Sequence, residues 1–208
     1  MKAFLIALEG QDGTGKSTVI DAIKKFFDEN KTDYIIAREP GGTAIGEKVR
    51  NILSDKDNKD MDYHTEALLF AASRSELYQK VIEPNLSKGT CVILDRFLLS
   101  SLAYQGVVRN LGVEEVLNIN DFFLKGFRPD LTILIDMDAK KSFERLKKLG
   151  ELDRIESLGE DFQEKVHLAY LKLYKENHMR VIKLDGTKDK VSLAHDALEE
   201  VKKIMREC

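Results

Sequence analysis

The residues whose types and spacing carry chemistry begin at Gly10-Gln-Asp-Gly-Thr-Gly-Lys-Ser17, a GxxxxGKS pattern set directly after the apolar run at 3–8. A polyphosphate needs several backbone N–H groups pointing inward. Gly10, Gly13 and Gly15 permit the backbone conformations that let a loop wrap phosphates closely. Lys16 then reaches the terminal phosphates as a point charge, and the Ser17 hydroxyl is placed to ligate Mg²⁺. Gln11, Asp12, Thr14 and Thr18 complete the cradle that an ATP-like ligand would meet.

The elements that must position this loop are a buried strand before it and a helix after it. Val19, Ile20, Ala22, Ile23, Phe26 and Phe27 recur at helical spacing, with Asp21, Lys24, Lys25 and Asp28 between them. A helix starting there adds its positive dipole end to the phosphate site. Further short, β-branched, apolar runs at 34–37, 90–94, 131–135 and 180–184 suit strands buried on both faces. They alternate with helical periodicity, which predicts an α/β fold: a doubly wound, mostly parallel five-stranded sheet flanked by helices. Ligands in such sheets bind beyond the carboxyl ends of the strands. Those ends are followed by Arg38-Glu-Pro-Gly-Gly-Thr43, Asp95-Arg96, Asp136-Met-Asp138 and Asp185-Gly-Thr187.

A helix is expected over 65–83, ended by Pro84. Within it Phe70 and Arg74 share a face, and periodicity alone makes Phe70 a core residue and Arg74 a surface ion-pair partner. The next helix carries Ser101, Tyr104 and Gln105 on one face. The mixed-charge run at 140–156, broken at Gly150, is either a solvated helix face or a mobile lid bringing Arg145, Lys147, Lys148 or Arg154 over a nucleotide. The segment 55–60 reads as a solvated connector, and 191–205 as a C-terminal helix docked on the core. Asn30-Lys-Thr-Asp33 matches a guanine-reading string, but here it joins the first helix to the second strand and implies no guanine binding.

Composition narrows the classes. The 208 residues suit one domain, and the formal net charge of −3 exerts no global pull on nucleic acid or anionic membrane. Cys91 lies in an apolar run and Cys208 at the last position, a buried thiol and a frayed terminus rather than a disulfide or metal pair. No signal-peptide pattern and no membrane-length apolar run is present, so the expected setting is cytoplasmic.

Several strings together resemble one family, the thymidylate kinases of the P-loop nucleoside monophosphate kinase group. They are Leu8-Glu-Gly-Gln-Asp-Gly-Thr-Gly-Lys-Ser-Thr18, Arg38-Glu-Pro-Gly-Gly-Thr43, Leu69-Phe-Ala-Ala-Ser-Arg74, Asp95-Arg96, Ala103-Tyr-Gln-Gly106, Arg128-Pro-Asp-Leu131 and Gly150-Glu-Leu-Asp-Arg154. The resemblance implies transfer of the ATP γ-phosphoryl group to dTMP with Mg²⁺, in a single domain with a mobile lid at about 146–158, and commonly a homodimer. By the same resemblance, Phe70 stacks on thymine, Arg74 donates to its O4, Ser101 and Gln105 meet the base edge, and Tyr104 lies where a ribose 2′-hydroxyl would sit. Arg96, with Arg38 and Arg50, would hold the acceptor phosphate. Asp12 would accept the sugar 3′-hydroxyl or assist the metal's water shell, and Asp95 would orient Mg²⁺ through water. Some relatives carry an arginine at the position of Gly13; the other subtype places it in the lid, and Arg154 matches that residue. Lys16, Asp95, Arg96 and Arg154 therefore form the expected transfer apparatus, with Arg145 against adenine and Asp185-Gly-Thr187 beside its other face.

Two alternatives remain at this level. Another P-loop kinase would act on a nucleoside or a different monophosphate; in a nucleoside kinase Glu9 would serve as base toward a 5′-hydroxyl. A nucleotide-binding regulator without turnover would have little use for the complete transfer apparatus.

Overall fold

A computed structural model of the chain describes residues 2–148, 150–176 and 179–207. The expected end at Cys208 lies outside the described residues. Five strands, β1 (Leu5–Glu9), β2 (Tyr34–Arg38), β3 (Cys91–Asp95), β4 (Leu131–Asp136) and β5 (Val181–Asp185), form one parallel sheet in the order β2-β3-β1-β4-β5. Nine α-helices among the described residues cover it: α1 (Lys16–Glu29), α2 (Ala44–Ser54), α3 (Tyr63–Leu77), α4 (Glu83–Ser87), α5 (Leu98–Ser101), α6 (Val113–Leu124), α7 (Ala139–Leu146), α8 (Glu160–Glu176) and α9 (Lys190–Glu207).

The sheet's two faces build two cores because successive side chains of a strand point opposite ways. Leu5 and Ala7 join Val92, Leu94, Leu102 and Tyr170 on one side. Phe4, Ile6 and Leu8 join Val19, Ile23, Phe27 and the α9 residues Leu193, Ala197 and Val201 on the other. The expectation of strands buried on both faces holds for β1, β3 and β4, whereas β2 and β5 are half-exposed because they are the edges. Cys91 is buried in β3, as its apolar context implies.

One helix boundary differs from the sequence expectation. Pro84 does not end the helix that begins at Tyr63; a π-helical turn over Tyr78–Ile82 intervenes and the chain continues as α4 with Pro84 in its first turn. Glu83 N–H bonds back to the Tyr78 carbonyl, five residues away, and the Asn85 side chain donates to the Val81 carbonyl at 2.7 Å. The wider turn makes room for a ring that carries no N–H. A second π-helical segment, Leu102–Val108, carries Tyr104 and Gln105. The expected connector at 55–60 holds one 3₁₀ turn, Lys56–Asn58.

Caps fix the helices that border the site. Thr43 accepts from Gly46 N–H at the start of α2, Asp62 from His64 and Thr65 N–H at the start of α3, and Asp138 from Lys141 N–H at the start of α7. α1 has no side-chain cap; its first residue is Lys16 and Gly15 precedes it in the left-handed region. Its leading N–H groups therefore open into the phosphate loop.

Candidate active site

The loop closes at the carboxyl end of β1. Gly13 has φ of +80°, and a Cβ added there would lie 2.5 Å from the Ser142 carbonyl. A residue larger than glycine is thereby excluded, which accounts physically for the missing P-loop arginine. Lys16 is buried; its Nζ donates to the carbonyls of Gly10 (3.1 Å) and Gln11 (2.9 Å) and approaches Asp12 Oδ1 at 3.2 Å. Thr14 is buried and its hydroxyl donates to the Gln11 carbonyl.

Two further expected neighbours flank this loop. Arg145 on α7 reaches the Gly13 carbonyl at 3.5 Å. The Asp185-to-Thr187 turn lies against the other side, where a Cβ on Gly186 would stand 2.9 Å from the Thr14 carbonyl. Ser17 is exposed and Thr18 half-buried at the start of α1.

Beside the loop is a cavity that Asp12 shares with it. Arg38, Arg50, Phe70, Arg74, Asp95, Arg96, Ser101, Tyr104 and Gln105 all line this cavity, so every acceptor-side residue expected from sequence is brought to one place. Glu39, Phe97, Ser100, Asp153, Glu156 and Gln163 also line it and were not singled out in the sequence. Glu39 is legible in the sequence only as the charged residue that follows Arg38 at the end of β2.

The cationic part is organised around Arg96, which follows β3 with φ of +70°. Its Nη2 lies 2.8 Å from Asp12 Oδ2, and its Nη1 donates to Ser100 Oγ (3.2 Å) and Tyr170 Oη (3.1 Å). Burial alone would raise the Asp12 carboxyl, but the Arg96 and Lys16 charges outweigh it and hold the group well below its ordinary range. Arg38 pairs with Glu47 at 2.8 Å and Arg50 donates to the Pro40 carbonyl at 3.1 Å.

Beneath Arg96 lies Glu9, fully buried. Its Oε1 accepts from the N–H groups of Phe97 (2.9 Å) and Ser100 (3.2 Å), and its Oε2 from Ser100 Oγ (2.5 Å) and Tyr170 Oη (3.3 Å). Burial pushes its carboxyl up, against the opposing pull of Ser100 and Arg96. Glu9 does not line the cavity, so it has no access to a substrate hydroxyl.

Arg74 is 1% exposed, which corrects the expectation of a surface ion-pair partner. Its Nε donates to Glu39 Oε2 (2.7 Å), Nη1 to Asn120 Oδ1 (2.6 Å), and Nη2 to the Phe97 carbonyl (3.1 Å) and Ser101 Oγ (3.0 Å). A guanidinium has five N–H groups, and these four bonds leave the second hydrogen on Nη1 without a protein partner. Glu39 pays for its depth: burial, partly offset by Arg74, raises its carboxyl to about 7.

Arg154 is the one expected catalytic residue that the structure keeps apart. It is buried, with Nε donating to the Leu53 carbonyl (2.7 Å) and Nη2 to Glu66 Oε2 (2.8 Å), and it does not line the cavity. Its neighbours Asp153, Ile155 and Glu156 do line it. The signal for this was absent from the sequence, because Glu66 lies 88 residues away and looks like any helix-surface carboxylate.

Among the described residues no group of three or more His, Cys, Asp or Glu side chains could hold a metal by itself. Asp95 Oδ1 is nonetheless buried without a hydrogen-bond partner. An orphaned carboxylate oxygen beside a phosphate loop fits Mg²⁺, which takes one or two protein oxygens and completes its shell with phosphate and water.

A family model described as thymidylate kinase matches residues 8–197. The chain belongs to the thymidylate kinase family. A thymidylate kinase of Finegoldia magna is 42% identical over 199 residues, covering 95% of this chain and 97% of that one. One from Clostridium novyi is 40% identical over 209 residues (99% of each chain), and one from Lactobacillus helveticus 40% identical over 210 residues (100% and 99%). Membership in the thymidylate kinase family makes the chain a phosphotransferase of the kinase type and accounts for its single parallel sheet.

Proposed function

We propose that this enzyme transfers the γ-phosphoryl group of ATP to dTMP, yielding dTDP and ADP, a step toward dTTP. The observation that carries the reading is that Asp12 of the phosphate loop also lines a cavity that gathers three arginines with an aromatic ring and several hydrogen-bonding side chains. Arg38, Arg50 and Arg96 supply charge for an acceptor phosphate. Phe70, Arg74, Ser101, Tyr104 and Gln105 supply a stacking ring and hydrogen-bonding groups for a base and sugar. A cavity built for a nucleoside alone would not need three arginines.

Phosphoryl transfer asks the protein for in-line positioning and neutralised charge more than for covalent chemistry. Lys16 and the N–H groups of residues 10–18 hold the donor, with Arg145 and the 185–187 turn beside adenine. Ser17 and, through water, Asp95 would hold Mg²⁺, which offsets phosphate charge when bound. Arg96 holds the acceptor phosphate against the loop. Asp12, kept ionised by Arg96 and Lys16, receives the sugar 3′-hydroxyl or a metal-bound water. Arg74 can only donate, so it suits the O4 carbonyl of thymine and opposes the amino group of cytosine. Tyr104 blocks a ribose 2′-hydroxyl sterically.

Arg154 is proposed as the lid arginine that completes charge neutralisation. Reaching the phosphates requires it to leave Glu66 and Leu53, a rearrangement of the lid segment at about 146–158. The burial and full hydrogen bonding of Glu9 weigh against the nucleoside-kinase alternative, which needs a base exposed to substrate.

The proposed assembly is a homodimer. Ile45 and Ile52 on α2, Leu68 on α3 and Phe122 on α6 are large, apolar and exposed, and α3 packs against both of the other helices. No helix of the described residues is long and apolar enough to cross a membrane. ATP and dTMP are charged and confined to the compartment that makes them, so the cytoplasm is the proposed setting.

The test is ADP release measured side by side with thymidine, dTMP, dUMP and dCMP as acceptors. The expected result is ATP-dependent dTDP formation with dTMP far ahead of thymidine and dCMP. A strong preference for thymidine, or no turnover with any acceptor, would overturn the reading.

A further inference from the structure

Glu66 sits in the first turn of α3, one helical turn before Phe70, and is 1% exposed. Its Oε1 accepts from Gln105 Nε2 (3.0 Å) and Arg109 Nε (3.2 Å), and its Oε2 from Arg109 Nη2 (3.3 Å) and Arg154 Nη2 (2.8 Å). Arg109 is itself held over the rings of Tyr63 (4.4 Å) and Phe162 (5.0 Å), so its position is set from outside the cavity. A carboxylate held in a two-pronged grip by Arg109, which stays when Arg154 leaves for the phosphates, carries its charge and can only accept hydrogen bonds.

That constraint reaches Gln105. The oxygen and nitrogen of a glutamine amide have nearly the same shape, and the chemistry of the partner decides which end points where. Glu66 accepts only, so Gln105 must turn its NH₂ toward Glu66. The end left for a ligand in the cavity is the Oε1 acceptor. Arg74 lines the same cavity, and the Nη1 hydrogen that Asn120 does not take is a donor.

We infer that Glu66 is a specificity-determining positioning residue: by accepting from Gln105 Nε2 it fixes the amide so that Oε1 faces the bound base. A pyrimidine with a 4-oxo group and an N3–H matches the resulting donor and acceptor pair. A 4-amino pyrimidine, with a donor at position 4 and an acceptor at N3, opposes both members. The pair therefore reads the 4-oxo pyrimidine edge and is blind to the 5-methyl group. This rests on the dTMP reading proposed above, and it adds a residue that touches no substrate.

The experiment measures kcat and KM for dTMP and dCMP in the full-length wild type, Glu66→Gln, Gln105→Ala and the double variant. An amide at position 66 can donate or accept, so it no longer dictates the direction of the Gln105 amide. The dTMP-to-dCMP ratio of kcat/KM is expected to fall about 10- to 100-fold in Glu66→Gln, chiefly through KM for dTMP. In the Gln105→Ala background the same change should have little further effect on that ratio. An unchanged ratio in Glu66→Gln, or an equal fall with and without Gln105, overturns the inference.

A second variant leaves Glu66 intact and decides the matter if Glu66→Gln does not fold. In Gln105→Glu, a protonated carboxyl donates its O–H to Glu66 and still presents a carbonyl to the base, whereas an ionised one meets a like charge. The expected kcat/KM for dTMP, divided at each pH by that of wild type so that titrations common to both cancel, falls as pH rises from about 5.5 to 8.5. A ratio independent of pH overturns the inference. Failure of the wild type itself to phosphorylate dTMP is a separate outcome: it removes the functional reading, and this inference with it.

Discussion

Arg96 and Asp12 meet at 2.8 Å, joining the residue that follows β3 to the middle of the phosphate loop. Arg96 also reaches Ser100 and Tyr170, both held by Glu9, so three contacts fix one guanidinium. A lysine keeps the charge but presents a single point in place of a fork. Arg96→Lys is therefore expected to lower kcat/KM for dTMP on the order of 10²-fold. Steady-state rates with dTMP and ATP check this, and a variant within a few-fold of wild type would show that the fork is dispensable.

Arg154→Ala should lower kcat on the order of 10³-fold while changing KM for dTMP much less, if the lid arginine acts on the transferring phosphoryl group. The substitution also removes a donor from Glu66 and from the Leu53 carbonyl, which costs about 1–3 kcal/mol of stability. Urea denaturation measures that loss separately from the rate. A stable variant with normal kcat would leave Arg154 as a structural ion pair only.

The contrast between Arg96 and Arg154 shows what the sequence can and cannot disclose. The phosphate loop, the parallel sheet and the charged strand ends are written locally, in glycine spacing and in the residue that follows each apolar run. Arg38, Asp95 and Arg96 could be placed because strand ends converge by topology, whereas Arg50, Phe70, Arg74, Ser101, Tyr104 and Gln105 stand on helices and are reached through the family resemblance. What was not legible depends on partners far apart in the chain. Periodicity makes Arg74 a surface residue because Glu39 and Asn120, which allow it to be buried, lie 35 and 46 positions away. Glu9 and Glu66 each gather donors from segments 39 to 161 positions distant, and no periodicity signals such a hub. Pro84 departs from expectation for another reason: a π-helical turn tolerates what an α-helix does not.

The Gly13 environment forbids moving the lid's charge into the loop. With φ of +80° and the Ser142 carbonyl 2.5 Å from any Cβ, Gly13→Arg must displace α7 or distort the cradle. Such strain is worth about 1–3 kcal/mol, equivalent to roughly 5- to 150-fold in affinity. Gly13→Arg combined with Arg154→Ala is expected to raise KM for ATP by about that factor and to leave kcat unrestored. Recovery of turnover in the double variant would refute the steric account.

The apolar face on α2, α3 and α6 gives the homodimer its test. Leu68 is 56% exposed, and a carboxylate buried there between two copies would lack a partner. Leu68→Glu should convert the species seen in sedimentation equilibrium from dimer to monomer with helical content intact. A wild type that sediments as a monomer would remove the proposal outright.

Glu39 supplies the pH dependence. Burial raises its carboxyl from 4.5 to about 7 in the folded chain, despite the opposing charge of Arg74. Between those values the folded state binds a proton that the unfolded state has lost, so stability falls as pH rises through this window. The contribution is fully present below about pH 4.5 and gone above about pH 7, and its size is on the order of 3 kcal/mol. Glu39→Gln keeps the shape and removes the titration. Unfolding free energies of wild type and variant, measured in urea from pH 4.5 to 8, should differ by an amount that shifts in the variant's favour up to pH 7 and then becomes constant. Parallel curves across the whole range would mean that Glu39 stays ionised beside Arg74, and that this buried pair answers to charge attraction before burial.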